Sequence, residues 1–159
     1  MLFKHCELKK SKLHGVGLFA KQEIAKGSLV VFWPVTDRHE IVREEQLPTL
    51  VSKDAKMVDS ISRLFGNYFV VSSTGIYDYE KINHSPNPNL LYFFGFLVAL
   101  QDIGEGEELT IDYTLAASPT VPENVGNENL LIASSGREAA VRSIREFSDL
   151  LLEVNEWIG

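Results

Sequence analysis

The apolar residues of this chain come in short runs separated by glycine, proline, asparagine and aspartate. Runs of this length that are rich in β-branched and aromatic residues are typical of strands, because such side chains pack well on a pleated surface and most helices are longer. Four runs fit this description, at 28–35, 68–73, 90–100 and 108–114. The charged stretch at 43–65 contains Pro48 and predicts short helices or irregular structure. The sequence therefore predicts a mainly β protein with some α-helix.

The length and charge of the chain limit the number of domains and the class of partner. With 159 residues, the chain can form one domain with a real core but is too short for two full-sized domains. A net charge of −7 argues against a general nucleic-acid binder, since phosphate neutralisation needs a basic face. An acidic surface is better suited to a cationic partner.

The single cysteine and the lack of a long apolar run bear on where the protein works. Cys6 is the only cysteine, which excludes an intrachain disulfide and a cysteine-cluster zinc site and fits a reducing compartment. No apolar run approaches the length that spans a bilayer, and the first residues lack the apolar core of a leader. We therefore expect a soluble cytoplasmic protein without a membrane partner, and leave a nuclear location open for a eukaryotic or viral source.

The periodicity of the apolar residues changes near the C-terminus. Residues 116–129 have the composition of an exposed linker, and beyond them apolar residues recur at spacings of three and four. This pattern predicts an amphipathic helix that starts in a capping box of Ser135 and Glu138. Its predicted apolar face consists of Val141, Ile144, Phe147, Leu151, Val154 and Ile158. The face can close over the core, which we favour, or join two copies in a homodimer, because the spacing also fits a short heptad seam.

The stretch "HGVGLFA" resembles a dinucleotide-binding fingerprint, but its surroundings do not. Gly15, Gly17 and Ala20 match G-x-G-x-x-G/A, and Asp37 follows at about the expected distance. That fingerprint needs an apolar strand before the glycines and a helix after them, whereas the polar "CELKKSKLH" precedes and Gly27 with "SLVVFW" follows. The context argues against a Rossmann domain, so the glycines either let backbone approach another group or make a turn.

The stretch "KINHSPNPNL" places Asn83 and His84 directly before two prolines. Pro86 and Pro88 cannot donate ladder hydrogen bonds and bias the residues before them away from helix, so backbone polar groups are left in need of partners. Asparagine and histidine side chains can supply some of these partners and a bound ligand others. In the alternative, these side chains stabilise only the turn. No other histidine lies at a helical ligand spacing from His84, so no metal site is expected.

The stretch "GEELTIDYT" predicts a strand that ends in a tyrosine. Alternation puts Leu109, Ile111 and Tyr113 on one face. If that face is buried, the Tyr113 phenol reaches inward at the end of the strand, where it can donate a hydrogen bond.

In this order, "HGVGLFA", "NHSPNPN" and "EELTIDY" resemble the G-x-G, N-H-S-x-x-P-N and E-L-x-x-D-Y motifs of SET-domain protein-lysine methyltransferases. The resemblance implies a SET domain at 1–115, and the composition and periodicity beyond it predict a linker at 116–134 and a helix at 135–159. The implied fold is the β-clip type, with several small mixed and antiparallel sheets and a threaded segment carrying Tyr113. The implied reaction is methyl transfer from S-adenosylmethionine to a lysine of a protein substrate. Alternatives are a catalytically silent SET-fold binding or scaffold module and a methyltransferase acting on a small-molecule amine.

The resemblance also implies roles for individual residues. The residues implied to bind the cofactor are Gly15, Val16, Gly17, Lys81, Asn83 and His84. The aromatic residues implied to line the substrate channel are Trp33, Tyr92 and Tyr113, of which Tyr113 and Tyr92 are the candidate catalytic residues. An aromatic channel attracts a cation and, by desolvation, disfavours the charged form of a lysine with an ordinary pKa of about 10.4. Because methyl transfer is an in-line displacement, we expect Tyr113 to position the amine rather than act as a conventional base.

The sequence also departs from the family pattern in ways that affect the channel. Pro86 stands where many members have cysteine, no cysteine-rich segment follows, and Val16 replaces an aromatic residue between the glycines. The resemblance is thus to compact stand-alone members. The far wall of the channel must come from elsewhere, and we expect the helix at 136–158 or a second subunit to supply it. A helix lying far from residues 83–92 would contradict the first option.

Overall fold

A computed structural model of the protein describes residues 6–32, 39–53, 61–72, 81–93, 95–116 and 136–154. Within these ranges the chain forms mostly strands and few helices, as predicted. The strands are β1 (Cys6–Lys10), β2 (Val16–Ala20), β3 (Leu29–Phe32), β4 (His39–Arg43), β5 (Ile61–Phe65), β6 (Tyr68–Ser72), β7 (Asn83–His84), β8 (Leu90–Phe93), β9 (Phe96–Ala99) and β10 (Thr110–Ile111). The helices are α1 (Leu47–Lys53), preceded by a 3₁₀ turn at Glu44–Gln46, α2 (Tyr113–Ala116) and α3 (Gly136–Glu153).

The strands form small sheets rather than one continuous layer. β1 pairs with β2, and the orders β3–β9–β8 and β4–β6–β5 describe two antiparallel three-stranded sheets. β7 pairs with β10 in parallel, with Asn83 opposite Thr110 and His84 opposite Ile111. Parallel neighbours need a long connection between them. This short pair therefore brings together segments that are distant in the sequence.

Alternation along the strands builds the main core. Its most deeply buried members, each at most 1% exposed, are Leu18, Ala20, Val31, Leu90, Leu97, Ala99, Ile103 and Leu109. A smaller cluster of Val42, Leu47, Phe69 and Val71 joins the β4–β6–β5 sheet to α1. The main core lies directly beneath β2, β8 and β10, so the residues at the ends of these strands are held on rigid elements.

The C-terminal helix α3 packs against β8, β5 and α2. Ala139 forms a buried cluster with Leu91 and Leu115, and the ring of Phe147 stacks on Phe93 with centroids 4.4 Å apart. The helix therefore closes over a core, which is the arrangement that we favoured from the sequence.

The packed face of α3 differs from the predicted one. Val141 and Ile144 are 50% and 49% exposed, whereas Ala139, Ser143 and Leu150 are at most 8% exposed. The prediction counted only large apolar residues and was wrong at these two positions. The short side chains of Ala139 and Ser143 allow the helix to approach the sheet, so they occupy the packed face. The homodimer stays a prediction.

Parts of the predicted organisation fall outside the described residues. These parts are most of the linker at 116–134, the capping residue Ser135 and the helix end at 155–159. The domain boundaries stay predictions. No helix in the described ranges is long and apolar enough to cross a membrane.

Candidate active site

The three motifs noted in the sequence meet at one place in the fold. The first and third are joined through β2, since Leu109 N–H donates to the Leu18 carbonyl at 2.8 Å and Ala20 N–H to the Glu107 carbonyl at 2.9 Å. The second and third are joined through the parallel pair of β7 and β10, which Ser85 N–H extends by donating to the Ile111 carbonyl at 3.0 Å. The third motif therefore lies between the other two.

Asn89, the last residue of the second motif, fixes this arrangement from the side. Its Nδ2 donates to the Glu108 carbonyl at 2.9 Å, and its Oδ1 accepts Thr110 N–H at 2.9 Å. Asn89 is 9% exposed, so these bonds form largely out of water. A side chain that pairs with backbone in this way replaces a ladder that the proline-rich segment cannot form.

Asn83 is held by a carboxylate that the sequence analysis did not single out. Asn83 Nδ2 lies 2.7 Å from Glu108 Oε1, 3.1 Å from the His14 carbonyl oxygen and 3.4 Å from the Val16 carbonyl oxygen. The other oxygen of Glu108 accepts the Ser11 hydroxyl at 2.9 Å. The amide nitrogen of Asn83 is thus turned toward three acceptors of the protein. Glu108 is the first residue of E-L-x-x-D-Y, and only that position signals it.

The orientation of Asn83 leaves its amide oxygen available to a ligand. Asn83 is 6% exposed, and no described residue donates a hydrogen bond to its Oδ1. The oxygen is not fully enclosed by protein atoms, so a bound molecule can reach it. An N–H group of a bound molecule fits this oxygen.

Gly17 is a glycine because of the Asn83–Glu108 bond. A Cβ at this position would lie 2.8 Å from Glu108 Cδ, closer than real Cβ contacts, and at a tight 3.0 Å from Asn83 Nδ2. Gly15 serves a different purpose: its φ of +48° lies in the left-handed region, and the space beside it is open. Val16, between them, is 46% exposed. The backbone at Gly15 and Val16 is therefore accessible from outside, as a cofactor-binding turn requires.

Tyr113 is held by the two neighbours of Asn83. Its backbone N–H donates to His84 Nδ1 at 3.2 Å, and its hydroxyl donates to the Ile82 carbonyl at 2.7 Å. The rings of His84 and Tyr113 have centroids 5.4 Å apart. In this contact His84 Nδ1 is the acceptor, so Nε2 is the ring nitrogen that can donate to a ligand. The predicted strand ends at Ile111, and Tyr113 begins α2 instead.

The chemistry of Tyr113 follows from its surroundings. Burial raises the pKa of its phenol above the ordinary value. The hydroxyl therefore stays protonated at neutral pH and serves as a donor whose lone pairs can still accept. This agrees with a positioning role for Tyr113.

The other predicted channel residues and Lys81 lie differently. Tyr92 is 3% exposed and belongs to the main core, because alternation along β8 turns Leu90 and Tyr92 toward that core. The Tyr92 hydroxyl donates a hydrogen bond to the Arg63 carbonyl. Its placement favours a packing role, and we leave it out of the proposed channel. Trp33 lies outside the described residues. Lys81 is partly buried, and its side chain makes no polar contact with another described residue.

Comparison with known proteins identifies the family. A family model of the SET domain matches residues 15–114, the range that holds all three motifs. The chain belongs to the SET-domain family. Comparison with curated proteins by sequence gives no significant match.

Solved structures share the fold of this SET domain. The methyltransferase domain of human histone-lysine N-methyltransferase SETMAR aligns with a TM-score of 0.55 and 25% identity, over 71% of this chain and 45% of that chain. A humanized mutant of Chaetomium thermophilum Polycomb Repressive Complex 2, bound to the inhibitor GSK126, aligns with a TM-score of 0.51 and 22% identity, over 68% and 14%. The structure of ctPRC2 in an autoinhibited conformation bound to S-adenosylmethionine aligns with a TM-score of 0.52 and 24% identity, over 69% and 15%. This chain thus spans less than half the length of each of these three.

The comparisons confirm the SET fold, mainly β with small sheets and a C-terminal helix. They also support methyltransferase activity for this SET domain. α3 packs against β8 (Leu90–Phe93) and α2, so it does not lie far from residues 83–92. The idea that α3 forms the far wall of the channel stays a prediction.

Proposed function

We propose that this SET domain transfers a methyl group from S-adenosylmethionine to the side-chain amine of a lysine in a protein substrate. The observation that carries the proposal is that the glycine turn, the Asn83–His84 pair and Tyr113 lie together, with no described residue donating to the amide oxygen of Asn83. The family match and the S-adenosylmethionine-bound ctPRC2 structure support this cofactor.

The residues present fit the proposed cofactor. S-adenosylmethionine carries a cationic amino group and an adenine with N–H donors, and it supplies a methyl group on a positively charged sulfur. Asn83 Oδ1 is an acceptor that no described residue satisfies, and it can bind one of these N–H groups. The backbone at Gly15 and Val16 is exposed beside it, and His84 keeps a proton on Nε2 to donate. Asn83, His84 and the glycine turn would therefore hold the cofactor, with Lys81 as a further predicted contact.

The substrate amine needs positioning more than activation by a base. Methyl transfer is an in-line displacement, so the protein must align the acceptor nitrogen and need not form a covalent intermediate. The Tyr113 hydroxyl donates to Ile82 and keeps its lone pairs free to accept an amine N–H. A partly buried site lowers the pKa of a lysine by desolvation, which increases its neutral fraction. The net charge of −7 favours the approach of a cationic substrate.

Transfer of a labelled methyl group tests this proposal. The protein is incubated with labelled S-adenosylmethionine and a lysate of the source organism, and the labelled product is identified by mass spectrometry. We expect label on a protein lysine, and we expect the Asn83→Ala variant to lose the transfer. Asn87→Ala is a matched control, because Asn87 belongs to the same segment and is exposed.

The alternatives give different results in the same experiment. Cofactor binding measured by calorimetry without any transfer would indicate a silent binding or scaffold module. Label on a small amine with none on protein would indicate the small-molecule alternative. Thermal unfolding of each variant is measured in parallel, so that a loss of activity is separated from a loss of fold.

A further inference from the structure

One side chain of α3 reaches the third motif. Arg142 Nη1 lies 2.8 Å from Asp112 Oδ2 and 3.3 Å from Thr114 Oγ1. Arg142 Nε lies 2.7 Å from Glu146 Oε1, one turn further along the helix. The Asp112 side chain is only 10% exposed, so this ion pair is screened less by solvent than a pair on the open surface. The contact joins the C-terminal helix to the residue that directly precedes Tyr113.

Asp112 also holds the start of α2. Its Oδ1 accepts Thr114 N–H at 2.9 Å, and its carbonyl accepts Leu115 N–H at 3.1 Å. One oxygen of the carboxylate therefore caps α2 while the other binds Arg142. Tyr113 is the first residue of this capped turn, so the Asp112 carboxylate links Arg142 to the turn that carries the phenol.

His84 does not compete for this carboxylate. Asp112 Oδ1 lies 4.0 Å from His84 Nδ1, which is beyond hydrogen-bond distance. That nitrogen accepts Tyr113 N–H and has no proton to donate. Tyr113 is thus held by His84 on one side and, through Asp112, by Arg142 on the other.

We propose that Arg142 is a positioning residue for Tyr113, acting through Asp112, and that α3 thereby sets the geometry of the active site. The inference rests on the proposed function, because the position of Tyr113 affects catalysis only if methyl transfer takes place beside it. It gives α3 a defined effect on the reaction without direct contact between the helix and the substrate.

Three variants, at two positions of α3, test the inference. Arg142→Met removes the guanidinium and keeps the aliphatic stem. Arg145→Met is the matched control, since Arg145 is exposed and no described residue pairs with it. We expect Arg142→Met to lower kcat on the order of tenfold, because in-line transfer tolerates little misalignment. Cofactor Kd should stay unchanged, Arg142→Lys should restore part of kcat, and Arg145→Met should match the wild type.

Amide hydrogen exchange provides a readout that does not depend on activity. The N–H groups of Thr114 and Leu115 should exchange faster in Arg142→Met than in the wild type or in Arg145→Met. Unchanged exchange at these two amides would overturn the inference, and so would unchanged kcat in an active Arg142→Met enzyme. A wild type that binds the cofactor but transfers no methyl group would instead contradict the proposed function and the catalytic part of this inference.

Discussion

The side-chain amide of Asn83 donates a 2.7 Å hydrogen bond to the carboxylate of Glu108, 25 residues further along the chain. Asn83 belongs to the second motif and Glu108 opens the third, while Gly17 of the first motif leaves room for the bond. All three motifs therefore meet at one contact. The bond also fixes the orientation of the Asn83 amide: its nitrogen faces the acceptors of the protein, and its oxygen points away from them.

Removing the charge of Glu108 should weaken cofactor binding. In Glu108→Gln one of the two carboxylate oxygens becomes an NH₂ group, which is a donor. That group would face either Asn83 Nδ2, itself a donor, or the Ser11 hydroxyl, whose oxygen already accepts Leu13 N–H at 2.8 Å. Hydrogen bonds to charged groups contribute about 1.5–3 kcal/mol, so partial loss should raise the cofactor Kd by about tenfold. Calorimetry of S-adenosylmethionine binding measures this. Glu107→Gln, at an exposed neighbour, should leave Kd unchanged; equal Kd values for both variants would contradict the role of Glu108.

A methyl group at Gly17 should displace the same pair. The added carbon of Gly17→Ala would meet Glu108 and Asn83 inside the range that real Cβ atoms avoid. Overpacking of this kind costs about 1–3 kcal/mol in the free energy of unfolding. Gly104→Ala is the control, because its Cβ would make only an ordinary contact with Glu107 at 3.6 Å. Urea unfolding of both variants checks the difference. Equal stabilities would show that the Glu108 and Asn83 side chains move aside at little cost in free energy.

Tyr113→Phe should separate catalysis from cofactor binding. The variant keeps the ring beside His84 but removes the hydroxyl that we expect to orient the amine. We expect kcat to fall by more than about tenfold with nearly unchanged cofactor affinity. Tyr68→Phe, at a half-exposed residue of β6, should retain full activity. Turnover of Tyr113→Phe at the wild-type rate would refute the assigned role.

The stability of the protein should fall in alkaline solution. Burial raises the pKa of the Tyr113 and Tyr92 phenols above the ordinary value of 10. Above about pH 10 the unfolded chain loses these protons while the native protein keeps them, so rising pH favours unfolding. This stabilisation is fully present below pH 10 and is lost as the pH rises through the native pKa values. The free energy of unfolding measured between about pH 9 and pH 11.5 should fall less steeply in Tyr113→Phe than in the wild type.

The packed face of α3 can be checked by paired truncations. Leu150 is 4% exposed, so Leu150→Ala should destabilise the protein by about 2–5 kcal/mol. Leu152 is 75% exposed, and Leu152→Ala should change stability by less than about 0.5 kcal/mol. Thermal unfolding compares the two. Comparable losses would contradict the packed face that the structure gives for α3.

The sequence was sufficient for the motifs and for some of the elements, but it missed β1, β2, β4, β7 and also β5, which lies in the stretch at 43–65 predicted as short helices or irregular structure. Short runs rich in β-branched and aromatic residues do form β3, β6, β8 and β9, and the three-to-four spacing does form α3. These features are local, so spacing and composition determine them. The resemblance carried by three ordered motifs supplied the fold, which strand patterns alone could not supply because general topology rules disfavour threaded chains.

The missed features depend on contacts between distant segments. The burial of Tyr92 follows from which side of β8 faces the main core, and the roles of Glu108 and Arg142 follow from partners 25 and 30 residues away. The face of α3 depends on how closely small residues let the helix approach β8. Apart from the motif position of Glu108, none of these relations has a period or a motif that a single sequence displays.

The hydrogen bond between Ser11 and Glu108 spans 97 residues of sequence. Closing a loop of this size has an entropy cost that must be met before its contacts stabilise the chain, so contacts of this kind slow folding. The Ser11–Glu108 bond therefore needs both of these segments in place, and S-adenosylmethionine added during refolding should bind only molecules in which they have met. The time course of S-adenosylmethionine binding would then report when these distant segments come together.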